Sequence, residues 1–152
     1  MVQNFILVGQ YDGENMSVSV LDFPNILLVE DDDIDRECVV RLFEKHKIID
    51  RLLFAHDGCD AILKLSKYQA KNKERFPGLI MLDINMPKIN GFDFLKYCRE
   101  NDNLRHIPIV ILTTSDRKKD IEQAKQFAVL DYIVKPLEEK HLSLASDSKI
   151  MQ

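Results

Sequence analysis

The sequence predicts a doubly wound α/β fold, a five-stranded parallel sheet with helices on both faces, and three observations carry that prediction. From Asn25 onward, short apolar runs alternate with amphipathic stretches five times. The runs are too short for buried helices, and most are unbroken by polar residues, as expected of strands covered on both faces. Four of them end in polar groups: Ile26 to Val29 in Glu30-Asp31, Leu79 to Leu82 in Asp83, Ile109 to Leu112 in Thr113-Thr114, and Tyr132 to Val134 in Lys135-Pro136. Open parallel sheets collect their chemistry at that carboxyl edge.

Residues 1–24 read as an N-terminal extension, residues 25–145 as the main domain and 146–152 as a C-terminal tail. In the extension, Asn4 to Val8, a turn-rich Gly9 to Asn15, and the alternating Val18 and Val20 suggest a small hairpin on an edge strand or a loose leader. Strand 26–29 leads into a helix over 33–47, with Asp33 as a candidate N-cap and Val39, Val40, Leu42 and Phe43 facing inward. Strand 51–55 is followed by Asp57-Gly58 and a helix over 59–69 whose apolar face holds Ala61, Ile62 and Leu65. Ala70 to Gly78 is a basic connector ending in Pro77-Gly78. The central strand 79–83 opens into a turn with Pro87, Asn90 and Gly91, then a helix over 91–100 carrying Phe92, Leu95, Tyr97 and Cys98. Strand 108–113 leads to a helix over 117–127, and strand 132–134 to a short last helix from about residue 137.

A chain of 152 residues with net charge -4 is one domain by size and has no electrostatic case for nucleic-acid binding. No stretch approaches the ~20 apolar residues of a membrane span, and Phe5 to Gly9 is too short for a secretory core. Cys38, Cys59 and Cys98 lack C-x-x-C spacing and read as reduced thiols, consistent with the cytoplasm. Asp31 to Asp35 superficially matches a calcium loop, but Arg36 stands where that loop needs Gly and Leu42 where it needs Glu. Phosphate-cradle and nucleophile-elbow motifs are absent from the sequence.

Taken in order, Glu30-Asp31, Asp83-Ile84-Asn85-Met86-Pro87, Thr113 and Lys135-Pro136 resemble the receiver domain of two-component response regulators. The resemblance runs from about Asn25 to about His141 and covers order and spacing as well as residue type. It implies a flavodoxin-like sheet with Asp83 as phosphoacceptor and Asp31 as direct Mg²⁺ ligand. Glu30 would ligate through water and Asn85 through its main-chain carbonyl. Lys135 would pair with Asp83 and then with the phosphoryl group, and Thr113 and Tyr132 would form the switch. Pro136 is similar to the family's cis-proline.

The charges fit that chemistry. Glu30, Asp31 and Asp83 carry three negative charges, which one Mg²⁺ and the Lys135 ammonium would balance. A carboxylate attacks phosphorus well only when the transferring group is neutralised and held in line.

The implied partners are a sensor histidine kinase or phosphotransfer protein and a downstream protein target. A homodimer through the fourth helix, fifth strand and last helix also follows from the resemblance. Asn101 to Asp116 is similar to single-domain regulators paired with sensor kinases, including phytochrome-type ones. The chain departs from the family at Ala128, where Gly is usual, and in its short last helix. Two other classes stay open at this point. A Mg²⁺-dependent phosphohydrolase of the haloacid-dehalogenase type would need Asp where Asn85 stands and its acid pair late in the chain. A constitutive binding module would keep the fold without phosphorylation.

Overall fold

The computed structural model describes residues 10–12, 15–86 and 88–144. The run Asn4 to Val8, Pro87 and the tail 146–152 lie outside the described residues, as do the side chains of residues 10–17. The elements in chain order are β1 (Gln10–Asp12), β2 (Asn15–Ser19), β3 (Ile26–Val29), α1 (Asp33–Lys45), β4 (Leu52–Ala55), α2 (Gly58–Lys71), β5 (Leu79–Leu82), α3 (Gly91–Glu100), β6 (Ile109–Thr113), α4 (Lys118–Lys125), β7 (Asp131–Val134) and β8 (Ser143–Leu144).

Strands β3 to β7 form one parallel sheet in the order β4-β3-β5-β6-β7. Because β3 is flanked by β4 on one side and β5 on the other, the chain reverses its winding direction there. The loops after β3 and β5 leave in opposite directions and open a crevice at their carboxyl ends. Every residue of β3, β5 and β6 is buried, as their unbroken apolar runs require.

Side-chain alternation sends those residues to two separate cores. Leu27, Val29, Ile80, Leu82, Ile109 and Ile111 pack under Ala61 and Leu65 of α2, Phe94, Leu95 and Cys98 of α3, and Ala124 of α4. Ile26, Leu28, Leu79, Met81, Val110 and Leu112 pack on the other face with Val39 and Phe43 of α1. In α3 the large buried ring is Phe94, whereas Tyr97 is exposed.

Helix starts follow local chemistry. The cap of α1 is Asp32 and not Asp33: the Asp32 carboxylate accepts from the amides of Ile34 (2.8 Å) and Asp35 (2.9 Å). Asp33 instead pairs with Arg36. Asp57 caps α2 and Asn90 caps α3 in the same manner.

Among the described residues, the expected last helix from about residue 137 does not form. Residues Glu139–Leu142 make a single 3-10 turn, and Ser143–Leu144 run antiparallel to β2, which also pairs with β1. This three-stranded sheet packs Val18, Val20, Leu142 and Leu144 into the core beside α1. Between Pro136 and Ala145 the only large apolar residues are Leu137, Leu142 and Leu144. That is too few for a helical stripe, and pairing with β2 satisfies its backbone instead. Within the extension, β1 and β2 pair antiparallel, while the expected strand over Asn4 to Val8 lies outside the described residues. The β1-β2 pair lies over a sheet face and does not extend an edge strand of the main sheet.

Candidate functional site

Four strand ends converge at the crevice. Glu30 follows β3 and is buried, with its amide donating to the Ala55 carbonyl of β4 (3.0 Å). Asp83 follows β5, is buried, and donates its amide to the Val29 carbonyl (3.2 Å). Asp31, beside Glu30, is exposed. One carboxylate oxygen from each of Glu30, Asp31 and Asp83 lies within 4.8 Å of the other two. That spacing and an all-oxygen donor set fit a hard divalent cation such as Mg²⁺.

Lys135 enters from the end of β7. Its amide donates to the Thr113 carbonyl (2.7 Å), and the Lys135-Pro136 peptide bond is cis. Its ammonium meets Glu30 Oε1 at 2.6 Å, Asp35 Oδ2 at 2.7 Å and Asp83 Oδ2 at 3.1 Å. The other Asp83 oxygen, Oδ1, accepts from the Asn85 amide (3.0 Å), and Glu30 Oε2 accepts from the Asp32 amide (3.2 Å).

This crowding has electrostatic consequences. Burial raises the Glu30 carboxyl to about 7; the Lys135 hydrogen bond opposes that rise, and the charge of Asp83 adds to it. Burial works against the Lys135 ammonium, but hydrogen bonds to Asp35 and Glu30 and the charge of Asp83 outweigh it. Lys135 therefore stands above the ordinary lysine value.

Thr113 sits fully buried at the end of β6, on the side of Asp83 away from Glu30. Its Oγ1 accepts from Asn85 Nδ2 (3.3 Å) and from the Ser115 amide (3.4 Å). Ser115 then reaches two further elements. Its Oγ donates to Asp120 Oδ2 in α4 (2.5 Å), and its carbonyl accepts from the Tyr132 hydroxyl of β7 (2.8 Å). Asp120 is buried and also accepts from Arg117 Nε (3.2 Å) and Nη2 (3.0 Å). The Ser115 and Arg117 hydrogen bonds hold its carboxyl below the usual range despite burial.

The structure thus brings together Glu30, Asp31, Asp83, Asn85, Thr113 and Lys135, and ties Tyr132 to Thr113 through Ser115. Three participants were not placed in the site by the sequence reading. Asp35 looked like a first-turn acid favoured by the helix dipole, and only the turn of α1 reveals that it faces Lys135. Ser115 was legible only as a residue following the switch threonine, with no role to assign, and Asp120 gave no signal of its own.

Two stretches needed unusual backbone. Gly91 opens α3 where an added Cβ would lie 2.2 Å from Ile84 Cα, so only glycine lets the Asp83 loop close. Ala128, where Gly is usual in the family, is left-handed with φ 54°.

Known proteins resemble this chain over most of its length. The family model for the response regulator receiver domain matches residues 26–146. Response regulator Rcp1 of Synechocystis is 34% identical over 110 residues, covering 72% of this chain and 75% of Rcp1. The probable methanogenesis regulatory protein FilR2 of Methanothrix harundinacea is 33% identical over 112 residues, covering 74% of this chain and 72% of that protein. Among solved structures, the Mn²⁺-bound form of Rcp1 superposes with a TM-score of 0.64 at 32% identity, over 78% of this chain and 86% of that one. The bacteriophytochrome response regulator RtBRR gives 0.67 at 36% identity, over 77% and 72%. The chain belongs to the response regulator receiver domain family. Among the described residues, no helix is long and apolar enough to cross a membrane.

Proposed function

We propose that this receiver takes a phosphoryl group onto the Asp83 carboxylate from a phosphohistidine on a sensor kinase or phosphotransfer protein, and thereby changes its choice of partner. The observation that carries this reading is the setting of Asp83. It is a buried carboxylate at the point of strand reversal, with a lysine ammonium on one oxygen and two further carboxylates within cation-sharing distance. A purely structural carboxylate has no need of such neighbours.

In this reading Glu30, Asp31, Asp83 and the Asn85 main-chain carbonyl hold Mg²⁺, as the acid spacing allows. Bound there, the cation supplies positive charge opposite the oxygens of the transferring group. A carboxylate oxygen of Asp83 attacks phosphorus, the phosphorus–oxygen bond forms, and the phosphorus–nitrogen bond to the donor imidazole breaks. The imidazole leaves with the electron pair of that bond. Lys135 exchanges its contact with Asp83, the longest of its three at 3.1 Å, for a phosphoryl oxygen. The Thr113 hydroxyl donates to another.

Signalling then runs through hydrogen-bonded groups beyond the cation site. As Thr113 turns to the phosphoryl group, the bonds its oxygen accepts from Asn85 and Ser115 are released. Ser115 carries the Tyr132 hydroxyl on its carbonyl and Asp120 on its own hydroxyl, so its movement shifts both β7 and α4. The face formed by α4 and β7 is the surface read by the downstream protein, with two arrangements whose balance phosphorylation sets. We assign the protein to the cytoplasm, where such kinases present phosphohistidine.

Intact-mass analysis after incubation with acetyl phosphate and Mg²⁺ tests this. Wild type should gain the mass of one phosphoryl group and Asp83→Asn should gain none. Release of many phosphates per protein would instead indicate a phosphohydrolase. No Mg²⁺-dependent change at Asp83 would indicate a constitutive binding module.

A further inference from the structure

Lys135 is held by three carboxylates, and one of them lies outside the proposed cation site. We propose that Asp35 is a positioning residue for phosphoryl transfer, anchoring the Lys135 ammonium so that its remaining N–H points at Asp83. The proposal rests on the function inferred above for Asp83 and Lys135.

The ammonium has three N–H donors, and the structure uses all three: Glu30 at 2.6 Å, Asp35 at 2.7 Å and Asp83 at 3.1 Å. Glu30 and Asp83 both belong to the set within reach of a divalent ion, whereas Asp35 does not. When a cation draws on Glu30 and Asp83, Asp35 is the partner with no competing claim. Its own position is fixed independently of Lys135, because its amide donates to Asp32 Oδ1 at the start of α1 (2.9 Å). The lysine backbone is fixed at the far end by the bond from its amide to the Thr113 carbonyl. The pair therefore joins the first turn of α1 to the loop after β7, one hundred residues away.

The surroundings explain why an anchor is needed. Beside the pair lies an open cleft of about 240 Å³, lined by Val39, Leu112, Pro136 and Leu137 together with Cys38 and Thr114. It is mostly apolar, and it gives the flexible four-carbon lysine stem room to turn away from Asp83. With Asp35 removed, the ammonium is restrained only by the two carboxylates that a cation would claim. Misplaced by even an ångström, a charged group loses much of its effect on a transferring phosphoryl group.

The test uses the full chain with Asp35→Ala, Asp35→Asn and Lys135→Ala, and the double variant Asp35→Ala/Lys135→Ala. Phosphorylation by acetyl phosphate with Mg²⁺ should slow on the order of ten-fold in Asp35→Ala. Asp35→Asn, whose amide oxygen still accepts the hydrogen bond, should stay within about two-fold of wild type. In the Lys135→Ala background, removing Asp35 should have no further effect, which a merely structural role would not produce. Without any metal, reductive methylation of Lys135, followed by peptide mass analysis, should be faster in Asp35→Ala than in wild type.

An unchanged phosphorylation rate in Asp35→Ala overturns the proposal, as does an equal slowing with and without Lys135, or unchanged methylation of Lys135. If wild type itself takes up no phosphoryl group while Asp35→Ala still exposes Lys135 to methylation, the function proposed for Asp83 fails and this role fails with it. Uptake by wild type with an unaffected Asp35→Ala overturns only the role of Asp35.

Discussion

The two faces of the central sheet are buried by different means. One is covered by three helices, α2, α3 and α4, and the other by α1 together with the small antiparallel sheet β1-β2-β8. Both covers leave the residues of the three central strands β3, β5 and β6 buried, and Phe94 and Phe23, one on each side, are similarly enclosed. A sheet that is apolar on both faces needs its water excluded, and it does not specify whether helix or strand does so. The carboxyl edge carries the candidate site whichever cover lies behind it.

The largest test of that equivalence is a matched pair of truncations. Phe94→Ala and Phe23→Ala should each cost about 3–5 kcal/mol, because both rings fill sites with no solvent to relax into. Urea unfolding followed by circular dichroism measures this. If Phe23→Ala cost under about 1 kcal/mol, the residues before β3 would be an appendage, and the two faces would not be equivalent.

The next effect arises where the faces meet. Glu30 is buried at the edge between them, and its carboxyl is lifted to about 7. An acid whose native value exceeds its unfolded value binds its proton more tightly when folded. The resulting stability is present below the ordinary glutamate range and is lost as pH rises through about 7. In chelator, the melting temperature should therefore fall between about pH 5 and pH 8, and Glu30→Gln should flatten that fall. Phe23→Ala should leave that fall in place, which sharpens the comparison, because Phe23 lies beside Gly78 at the amino ends of β3 and β5, the opposite edge of the sheet from Glu30.

The smallest effects are at the helix exits, one serving each face. Lys47 after α1 and Ala128 after α4 are both left-handed, with φ of 60° and 54°. Lys47 sits in a Schellman turn in which the Ile48 amide reaches the Phe43 carbonyl (3.0 Å). Glycine at either position should raise stability by up to about 1 kcal/mol, measured as a shift in urea midpoint at constant slope. A gain at Lys47 with a loss at Ala128 would mean that the Ala128 methyl packs usefully near the α4 and β7 surface.

Much of the molecule was readable one residue at a time. The five apolar runs became the five strands, because a buried strand has no polar option on either face. Glu30, Asp31, Asp83, Thr113 and Lys135 were found because strand ends in a parallel sheet share one edge. Asp57 and Asn90 capped helices for local reasons that the sequence states directly. Phe94 and Tyr97 were harder, since a helix with apolar residues at several positions leaves its rotation open until a neighbour is packed against it.

What the amino-acid order determined by itself was therefore the set of strands, their parallel arrangement and the residues at the rim, because each depends on short-range pattern plus a single topological rule. What only the tertiary structure decided was the partner of each group: that residues 143–144 pair with β2 in place of a helix, that Asp35 turns to Lys135, and that Ser115 links Thr113 to Asp120 and Tyr132. Those choices depend on distances between segments remote along the chain, where several pairings satisfy the same local preferences and packing selects among them.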